Sequence, residues 1–275
     1  MGKVAALIKQ MMAKGPEAEV SLRWIFRTGS RLDQRFAKSA KYELDSYGEY
    51  ARIKCQGETF LWPRAAKTET LLMLTSELMT PHHPHQYLYG PTKLRPDDVI
   101  LDIGACEGAF SAYVTSRVKR VIAIEPSRSM CSTMTALFEL RNETPPILVN
   151  CLMGMESTTA YFLDGTDNPA GGRVLDAHVP GSYEIPVRTL DELVESLEIK
   201  PTFIKCDAEG AEPAIFSGGV NFLKKYRPRL AITTYHAPND YGKLHELLRG
   251  CGYNVMGKGF LFAHDRLLVQ MIHGW

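Results

Sequence analysis

From residue 97 onward, short apolar runs alternate with stretches that carry apolar residues at helical spacing. The apolar runs are four to seven residues long, as expected of buried strands, and span residues 99–103, 120–125, 147–152, 203–206 and 229–235. The helical stretches span residues 129–140, 190–197, 212–226 and 241–251. This alternation predicts an α/β fold in which helices cover both faces of a mainly parallel sheet.

Two further apolar runs follow the last predicted helix. They span residues 253–256 and 267–273 and are joined by Gly257-Lys258-Gly259 and a short loop. We expect these runs to form an antiparallel hairpin at one edge of the sheet, which brings the sheet to seven strands.

Residues 1–95 have a different pattern. Residues 3–14 and 19–27 predict two amphipathic helices, residues 42–62 predict short antiparallel strands, and residues 65–79 predict a helix. We expect an α+β extension without chemistry of its own, followed by the main domain at residues 96–275. The first two helices suit packing on that domain or on a second subunit, and residues 1–95 as a whole are candidates for substrate or homodimer contacts.

Composition narrows the class of partner. The 275 residues are 45% hydrophobic, which is enough for a sizeable core, and 32 Lys and Arg balance 31 Asp and Glu. This balance indicates no general affinity for nucleic acid, and it favours small-molecule partners. No apolar run reaches the roughly 18 residues of a membrane span. The six cysteines are scattered without zinc spacing, so we expect a reducing compartment, the cytoplasm.

The first candidate for chemistry is the turn after the first strand of the main domain. It reads Asp102-x-Gly104-x-x-x-Gly108 and continues into a helical stretch. The glycines let the backbone approach a ligand closely, and the start of the helix offers unpaired N–H groups to the same ligand. The next strand ends at Glu125, where an acid can accept hydrogen bonds from a ribose. A dinucleotide turn has three glycines, whereas this turn opens with an acid. An acid repels pyrophosphate and suits a ligand that carries a cationic amino-acid group.

The second candidate follows the strand at residues 203–206. Asp207, Glu209 and Glu212 cluster there, and without partners they would repel one another. A cation, a base role or solvent exposure must account for them. Because strand ends share one edge of a parallel sheet, this cluster is expected on the same rim as the first turn, Leu152 and His236.

Together with Pro186-Val-Arg-Thr-Leu-Asp191, these two motifs resemble the pattern of the FkbM-type S-adenosylmethionine-dependent methyltransferases. The resemblance spans roughly residues 97–236. It implies a Rossmann-like methyltransferase fold. It also implies transfer of a methyl group from S-adenosylmethionine to a hydroxyl of a sugar, polyketide or related natural product.

The resemblance also implies roles for residues. Asp102, Gly104 and Gly108 would hold the methionine part of the cofactor, Glu125 the ribose, Leu152 would lie near the adenine, and Asp207 would lie near the methyl group. Their neighbours Ala105 and Pro126 are predicted cofactor contacts too.

The sequence departs from the family pattern at two places. Cys106 replaces an asparagine that is frequent in the family, and residues 233–236 lack an acid that often precedes the histidine. The first departure leaves room for a binding protein without catalysis, and the second weakens any assignment of a metal site.

An alcohol needs help to lose its proton, so we expect a base. His236 is the first choice because imidazole titrates near neutral pH, and Asp207 or Glu209 is the second. Mg²⁺ held by those two acids is a third possibility. Transfer to nitrogen or carbon stays open as an alternative.

Two histidine-bearing loops complete the candidates. The segment Thr80 to Tyr89 contains His82, His83 and His85 between prolines, which prevent a helical metal pair. We expect it to be a loop near the pocket or a solvated linker. His178, in a Gly- and Pro-rich stretch at residues 164–184, is a candidate for a lid over the acceptor.

Overall fold

The computed structural model describes Val20, Trp24 and residues 28–64, 68–165, 171–263 and 266–275. The two helices predicted for residues 3–14 and 19–27 lie outside the described residues, apart from Val20 and Trp24. No helix within these ranges is both long enough and apolar enough to cross a membrane.

The described helices and strands alternate along most of the chain. The helices are α1 (Gly29–Ser39), α2 (Thr68–Met79), α3 (Ala109–Thr115), α4 (Arg128–Arg141), α5 (Leu190–Ser196), α6 (Glu212–Ser217), α7 (Val220–Tyr226) and α8 (Asp240–Gly250). The strands are β1 (Tyr42–Tyr47), β2 (Tyr50–Cys55), β3 (Glu58–Pro63), β4 (Val99–Ile103), β5 (Arg120–Ile124), β6 (Ile147–Val149), β7 (Leu152–Met153), β8 (Thr158–Leu163), β9 (Arg173–Leu175), β10 (Tyr183–Arg188), β11 (Phe203–Cys206), β12 (Arg229–Thr233), β13 (Val255–Ala263) and β14 (Arg266–Gly274).

A seven-stranded sheet in the order β13-β14-β12-β11-β4-β5-β6 forms the centre of the fold. The five strands from β12 to β6 are parallel, and the hairpin extends the sheet, with β14 antiparallel to β12 and β13 antiparallel to β14. Buried apolar residues fill both faces of this sheet, with Leu101 and Ile204 on one side and Ile100 and Phe203 on the other. The predicted α/β class, the seven strands and the antiparallel terminal hairpin are confirmed.

A second sheet, in the order β7-β10-β8-β9, was not expected. The strand predicted at residues 147–152 breaks after Val149, because Asn150 turns its side chain back to the carbonyls of Glu125 and Pro126, at 2.9 Å from each. The chain then enters β7, which pairs with β10 in parallel. The stretch at residues 164–184 therefore contains β9 and the start of β10.

Two other boundaries differ from the sequence prediction. The helix predicted at residues 212–226 is divided at Gly218-Gly219, where helix propensity is low and Asp191 of α5 accepts the N–H of Phe222 at 2.7 Å, within the first turn of α7. Gly257-Lys258-Gly259 lies within β13 instead of joining the two strands, since β13 ends at Ala263 and β14 begins at Arg266.

The N-terminal region and the main sheet share one hydrophobic core. Ile53, Phe60 and Trp62 of the small sheet β1-β2-β3 belong to the same buried cluster as Ile100 and Phe110. The division of the chain at residue 95 stays a prediction.

Both glycines of the turn after β4 are explained by contacts within the protein. Gly104 has φ +69°, and a Cβ there would lie 1.8 Å from the backbone oxygen of Asp207. A Cβ on Gly108, with φ +87°, would lie 2.5 Å from Cγ of Met134. The sequence analysis ascribed these glycines to a close ligand, and the packing of β4 against β11 and α4 is a sufficient reason for them.

We expect Gly104→Ala to lower the free energy of unfolding by about 3 kcal/mol or more, because the new methyl group meets backbone that cannot move aside. Gly48→Ala is the matched control, since Gly48 has φ +59° and nothing within 4 Å of the added Cβ. The control should cost about 1 kcal/mol. Urea denaturation measures both, and equal losses would contradict this explanation of Gly104.

Candidate active site

A cavity of about 620 Å³ opens at the carboxyl edge of the main sheet. Its size falls within the range of small-molecule sites. Six of the predicted cofactor residues line it, namely Gly104, Ala105, Glu125, Pro126, Leu152 and Asp207. The sheet topology brings them together because β4, β5 and β11 all end at this edge.

Asp102 and Gly108, which were also predicted to contact the cofactor, are not among the lining residues. Asp102 is fully buried, accepts the hydroxyl of Ser111 at 2.7 Å and forms an ion pair with Nζ of Lys205 at 3.0 Å. Direct contact of Asp102 with a ligand does not fit this geometry, since its carboxylate holds a buried lysine.

Lys205 links the turn after β4 to the end of β11. Its ammonium group donates to the backbone oxygen of Gly104 at 2.5 Å, in addition to the ion pair with Asp102. Burial disfavours its charge, but Asp102 and Asp207 outweigh this and raise the pKa of Lys205. Lys205 was not among the residues predicted to form the site.

Glu125 presents a fixed carboxylate to the cavity. Its two oxygens accept the backbone N–H groups of Ser127 and Cys106, each at 2.8 Å. Burial nevertheless raises the pKa of Glu125 to about 7, against the effect of those hydrogen bonds. The side chain is thus held rigidly, and its remaining lone pairs can accept further hydrogen bonds, as the predicted ribose contact requires.

Glu107 is a second acid of the cavity wall, which the sequence analysis missed. The residue is 4% exposed, and its Oε2 has no hydrogen-bond partner within the described ranges. Burial raises the pKa of Glu107 to about 7. A buried acid with an unsatisfied oxygen favours a ligand with a cationic or hydrogen-bond-donating group. Its position between Gly104 and Gly108 in the predicted cofactor turn was the sequence signal that could have identified it.

Asp207 lies where the walls of the cavity meet. Its Oδ2 accepts the hydroxyl of Tyr87 at 2.6 Å, Oγ1 of Thr233 lies 3.1 Å from its Oδ1, and Nε2 of His85 and of His236 each lie 3.5 Å away. Burial would raise the pKa of Asp207, but the neighbouring cations, led by His85, lower it. Asp207 is therefore an ionised carboxylate with polar neighbours at both oxygens.

His236 does not line the cavity and is held from behind by a buried acid. Its Nδ1 lies 2.9 Å from Oε1 of Glu212. Although burial acts against the charged form, Glu212, Asp207 and Glu209 raise the pKa of His236 to about 9. The prediction that neutral His236 is the base does not fit this geometry, because the imidazole is cationic at neutral pH.

Glu212 is a structural anchor at the start of α6. It is fully buried and accepts the backbone N–H groups of Ala208 and Gly210, each at 2.9 Å, and the hydroxyl of Thr233 at 2.9 Å. These bonds fix the loop that carries Asp207 and Glu209.

Glu209 lines the cavity, but its side chain is 76% exposed. Nε2 of His236 lies 3.7 Å from Oε2 of Glu209 and 3.5 Å from Oδ1 of Asp207, so the imidazole occupies the place that Mg²⁺ would need between these acids. Asp207, Glu212 and His236 also bring donor atoms within 4.8 Å of one another. The oxygens of Glu212 already accept protein hydrogen bonds, so these residues do not fit Mg²⁺.

The N-terminal region supplies one wall of the cavity, in contrast to the expectation that it has no chemistry of its own. Trp62 of β3, Glu77 of α2, and His85 and Tyr87 of the following loop all line it. The Thr80 to Tyr89 segment is thus a loop of the pocket, one of the two alternatives predicted.

The other histidines of the predicted loops lie outside the cavity wall. His82 is exposed, and Nε2 of buried His83 lies 3.2 Å from Oδ1 of Asp33. The ring of His178 packs edge-on against Tyr161 of β8, with the ring centroids 5.6 Å apart. The lid role of His178 stays a prediction.

Comparison with known proteins gives a family match. The family described as Methyltransferase FkbM domain matches residues 102–255 of the chain. The fold is similar to that of the methyltransferase FkbM from Methylobacillus flagellatus KT, with a TM-score of 0.50 and 20% sequence identity over 76% of this chain and 56% of that chain. This chain therefore spans little more than half of the Methylobacillus protein. No curated protein sequence matches.

Two more distant structures are also similar in part. They are a fibrillarin pre-rRNA processing protein of Methanococcus jannaschii, with 12% identity, coverage of 86% and 98% and a TM-score of 0.41, and the magnesium protoporphyrin IX methyltransferase of Synechocystis PCC 6803, with 13% identity, coverage of 65% and 70% and a TM-score of 0.39.

We expect Glu107→Gln to stabilise the ligand-free protein at alkaline pH. Folding raises the pKa of Glu107 from 4.5 to about 7. The free energy of unfolding is therefore highest below pH 4.5, where Glu107 is protonated in both states, and it falls as the pH rises through 7. At pH 8 the variant should gain about 3 kcal/mol in the free energy of unfolding, and at pH 4 it should match the native protein.

Urea denaturation at both pH values measures this difference. Glu156→Gln, at an exposed position, is the control and should change stability little at either pH. An equal effect of Glu107→Gln at pH 4 and pH 8 would show that the carboxylate is not destabilised by burial.

Proposed function

The chain belongs to the FkbM methyltransferase family, and we propose that it transfers the methyl group of S-adenosylmethionine to a hydroxyl oxygen of a small natural-product-like acceptor such as a polyketide or sugar. The observation that carries this proposal is the position of Asp207. This carboxylate lies between the strand-end wall, with Gly104 and Glu125, and the N-terminal wall, with His85 and Tyr87.

The strand-end wall fits the cofactor. S-adenosylmethionine carries an ammonium group and a sulfonium, and two buried acids, Glu107 and Glu125, line this wall. In this proposal Glu125 accepts from the ribose hydroxyls, Leu152 lies near the adenine, and Glu107 faces the ammonium group. When bound, the cofactor supplies a methyl group on an electron-poor sulfur.

The N-terminal wall fits the acceptor. Trp62, Leu74 and Leu78 line it, and Phe110 belongs to the same apolar cluster, so the acceptor meets apolar and aromatic surface. Holding the acceptor oxygen in line with the methyl group supplies much of the rate enhancement. In this proposal Asp207 lies near the methyl group, and its neighbours His85, Lys205 and His236 hold it in its ionised form.

The free cysteines bear on the compartment. Cys55, Cys151, Cys206 and Cys251 are buried thiols, and Cys106 and Cys131 are partly exposed thiols. Burial raises the pKa of the Cys151 thiol to about 11, which makes it unreactive at neutral pH. We propose a reducing compartment, the cytoplasm, as the place of action.

Calorimetric titration tests the cofactor assignment. We expect S-adenosylmethionine and S-adenosylhomocysteine to bind and NAD not to bind. Glu125→Gln should weaken S-adenosylhomocysteine binding about tenfold, because an amide has one acceptor oxygen for the ribose and for the two backbone N–H groups that the carboxyl group accepts. Glu184→Gln, an exposed position of β10, is the control and should bind like the native protein. Binding of NAD without the adenosyl ligands would overturn the assignment.

Transfer of an isotope-labelled methyl group to a panel of phenols, aliphatic alcohols, amines and activated carbon acids tests the reaction. Methyl ethers are the expected products. N-methyl or C-methyl products would assign the alternative chemistry to the same fold. Cofactor binding without transfer to any member of the panel would contradict a catalytic role and favour a binding protein.

A further inference from the structure

His85 lies in the N-terminal wall of the cavity, between two carboxylates. The residue is 4% exposed, its Nδ1 lies 2.8 Å from Oε2 of Glu77, and its Nε2 lies 3.5 Å from Oδ2 of Asp207. At 3.5 Å the second contact is too long for a good hydrogen bond, so Nε2 is a buried ring nitrogen without a hydrogen-bond partner among the described residues, on a side chain that lines the cavity.

The loop that carries His85 is held rigidly. Nζ of the fully buried Lys258 of β13 donates to the backbone oxygen of Gln86 at 2.7 Å. The hydroxyl of Thr92 donates to the backbone oxygen of Tyr87 at 2.8 Å. The backbone N–H of His85 itself donates to Nδ1 of His83 at 3.1 Å. The imidazole is thus preorganised at the wall, as a catalytic group must be.

We propose that His85 is the base that takes the proton of the acceptor hydroxyl, with Glu77 as its positioning residue. This inference rests on the proposed methyl transfer. As the bond from the acceptor oxygen to the methyl carbon forms, the bond from that carbon to sulfur breaks and its electron pair stays on sulfur. The hydroxyl proton passes to Nε2 of His85 and is released to water after the product leaves.

The surroundings of His85 support its role as base over the other candidates. Asp207 already accepts the hydroxyl of Tyr87 at 2.6 Å, which makes this carboxylate a weak base, but its charge stabilises the imidazolium that forms at His85. Nδ1 lies 2.8 Å from the carboxylate of Glu77, so Nε2 is the nitrogen left to take a proton. His236 has no comparable access, since it does not line the cavity.

Several groups set the titration of His85. Burial acts against its charged form, but Glu77 and Asp207 outweigh this and raise the pKa of His85 above its ordinary 6.5. The charged and titratable groups that face it are Glu77 of α2, Tyr87 of its own loop, Asp207 after β11, Tyr235 after β12 and Lys258 of β13. We therefore expect the rate of methyl transfer to increase with pH, and the midpoint of this limb of the pH–rate profile should lie above pH 6.5.

The test uses His85→Gln, Glu77→Gln and the control His82→Gln, which changes an exposed histidine of the same loop. The probe is labelled S-adenosylmethionine with the best alcohol of the panel. His85→Gln should lower kcat at least about 100-fold and abolish the alkaline increase, with S-adenosylhomocysteine affinity unchanged. Glu77→Gln should keep the high-pH rate and move the limb down by about one pH unit. The control should match the native protein.

Other results would overturn the inference. Equal loss of kcat at every pH in Glu77→Gln, without movement of the limb, would assign a merely structural role to this pair. A His85→Gln variant with native rate and pH profile would exclude His85 as the base and leave the proposed function intact. If the native protein transfers no methyl group to any alcohol, both proposals fall together.

Discussion

The site depends on one buried ion pair, between Asp102 of β4 and Lys205 of β11. A buried charge is tolerated only when it is paired, so the two side chains fix how the two strands lie side by side. Lys205 also holds the carbonyl of Gly104, and a side chain on Gly104 would strike the backbone of Asp207. The turn of the strand-end wall and Asp207, the acid at the centre of the site, are therefore held in one geometry.

Around that framework the charges have distinct roles. Burial makes Glu107 and Glu125 weak acids with pKa values near 7, whereas neighbouring cations keep Asp207 ionised. Glu212 holds His236 as a cation, so this histidine maintains the charge of Asp207. One sheet edge thus carries acids suited to hydrogen bonding with a cofactor beside an ionised acid that lies next to the N-terminal wall.

Features that arise from local pattern could be predicted from the sequence, and features that depend on contacts between distant segments could not. The bounds of β4 and β11, the terminal hairpin and the family are confirmed, because apolar runs, turns and motifs are local. Tyr87 reaches Asp207 across 120 positions of sequence, and no periodicity links them. The charge of His236 likewise depends on Glu212, and the break of the predicted strand at Asn150 depends on its contacts with the turn after β5.

The most direct test of this account is a crystal structure of the protein with S-adenosylhomocysteine. The account predicts the ribose beside Glu125, the adenine near Leu152, and the sulfur directed at the space between Asp207 and His85. An adenosyl group outside this cavity, or a sulfur directed away from Asp207, would contradict the division of the cavity into a cofactor wall and an acceptor wall.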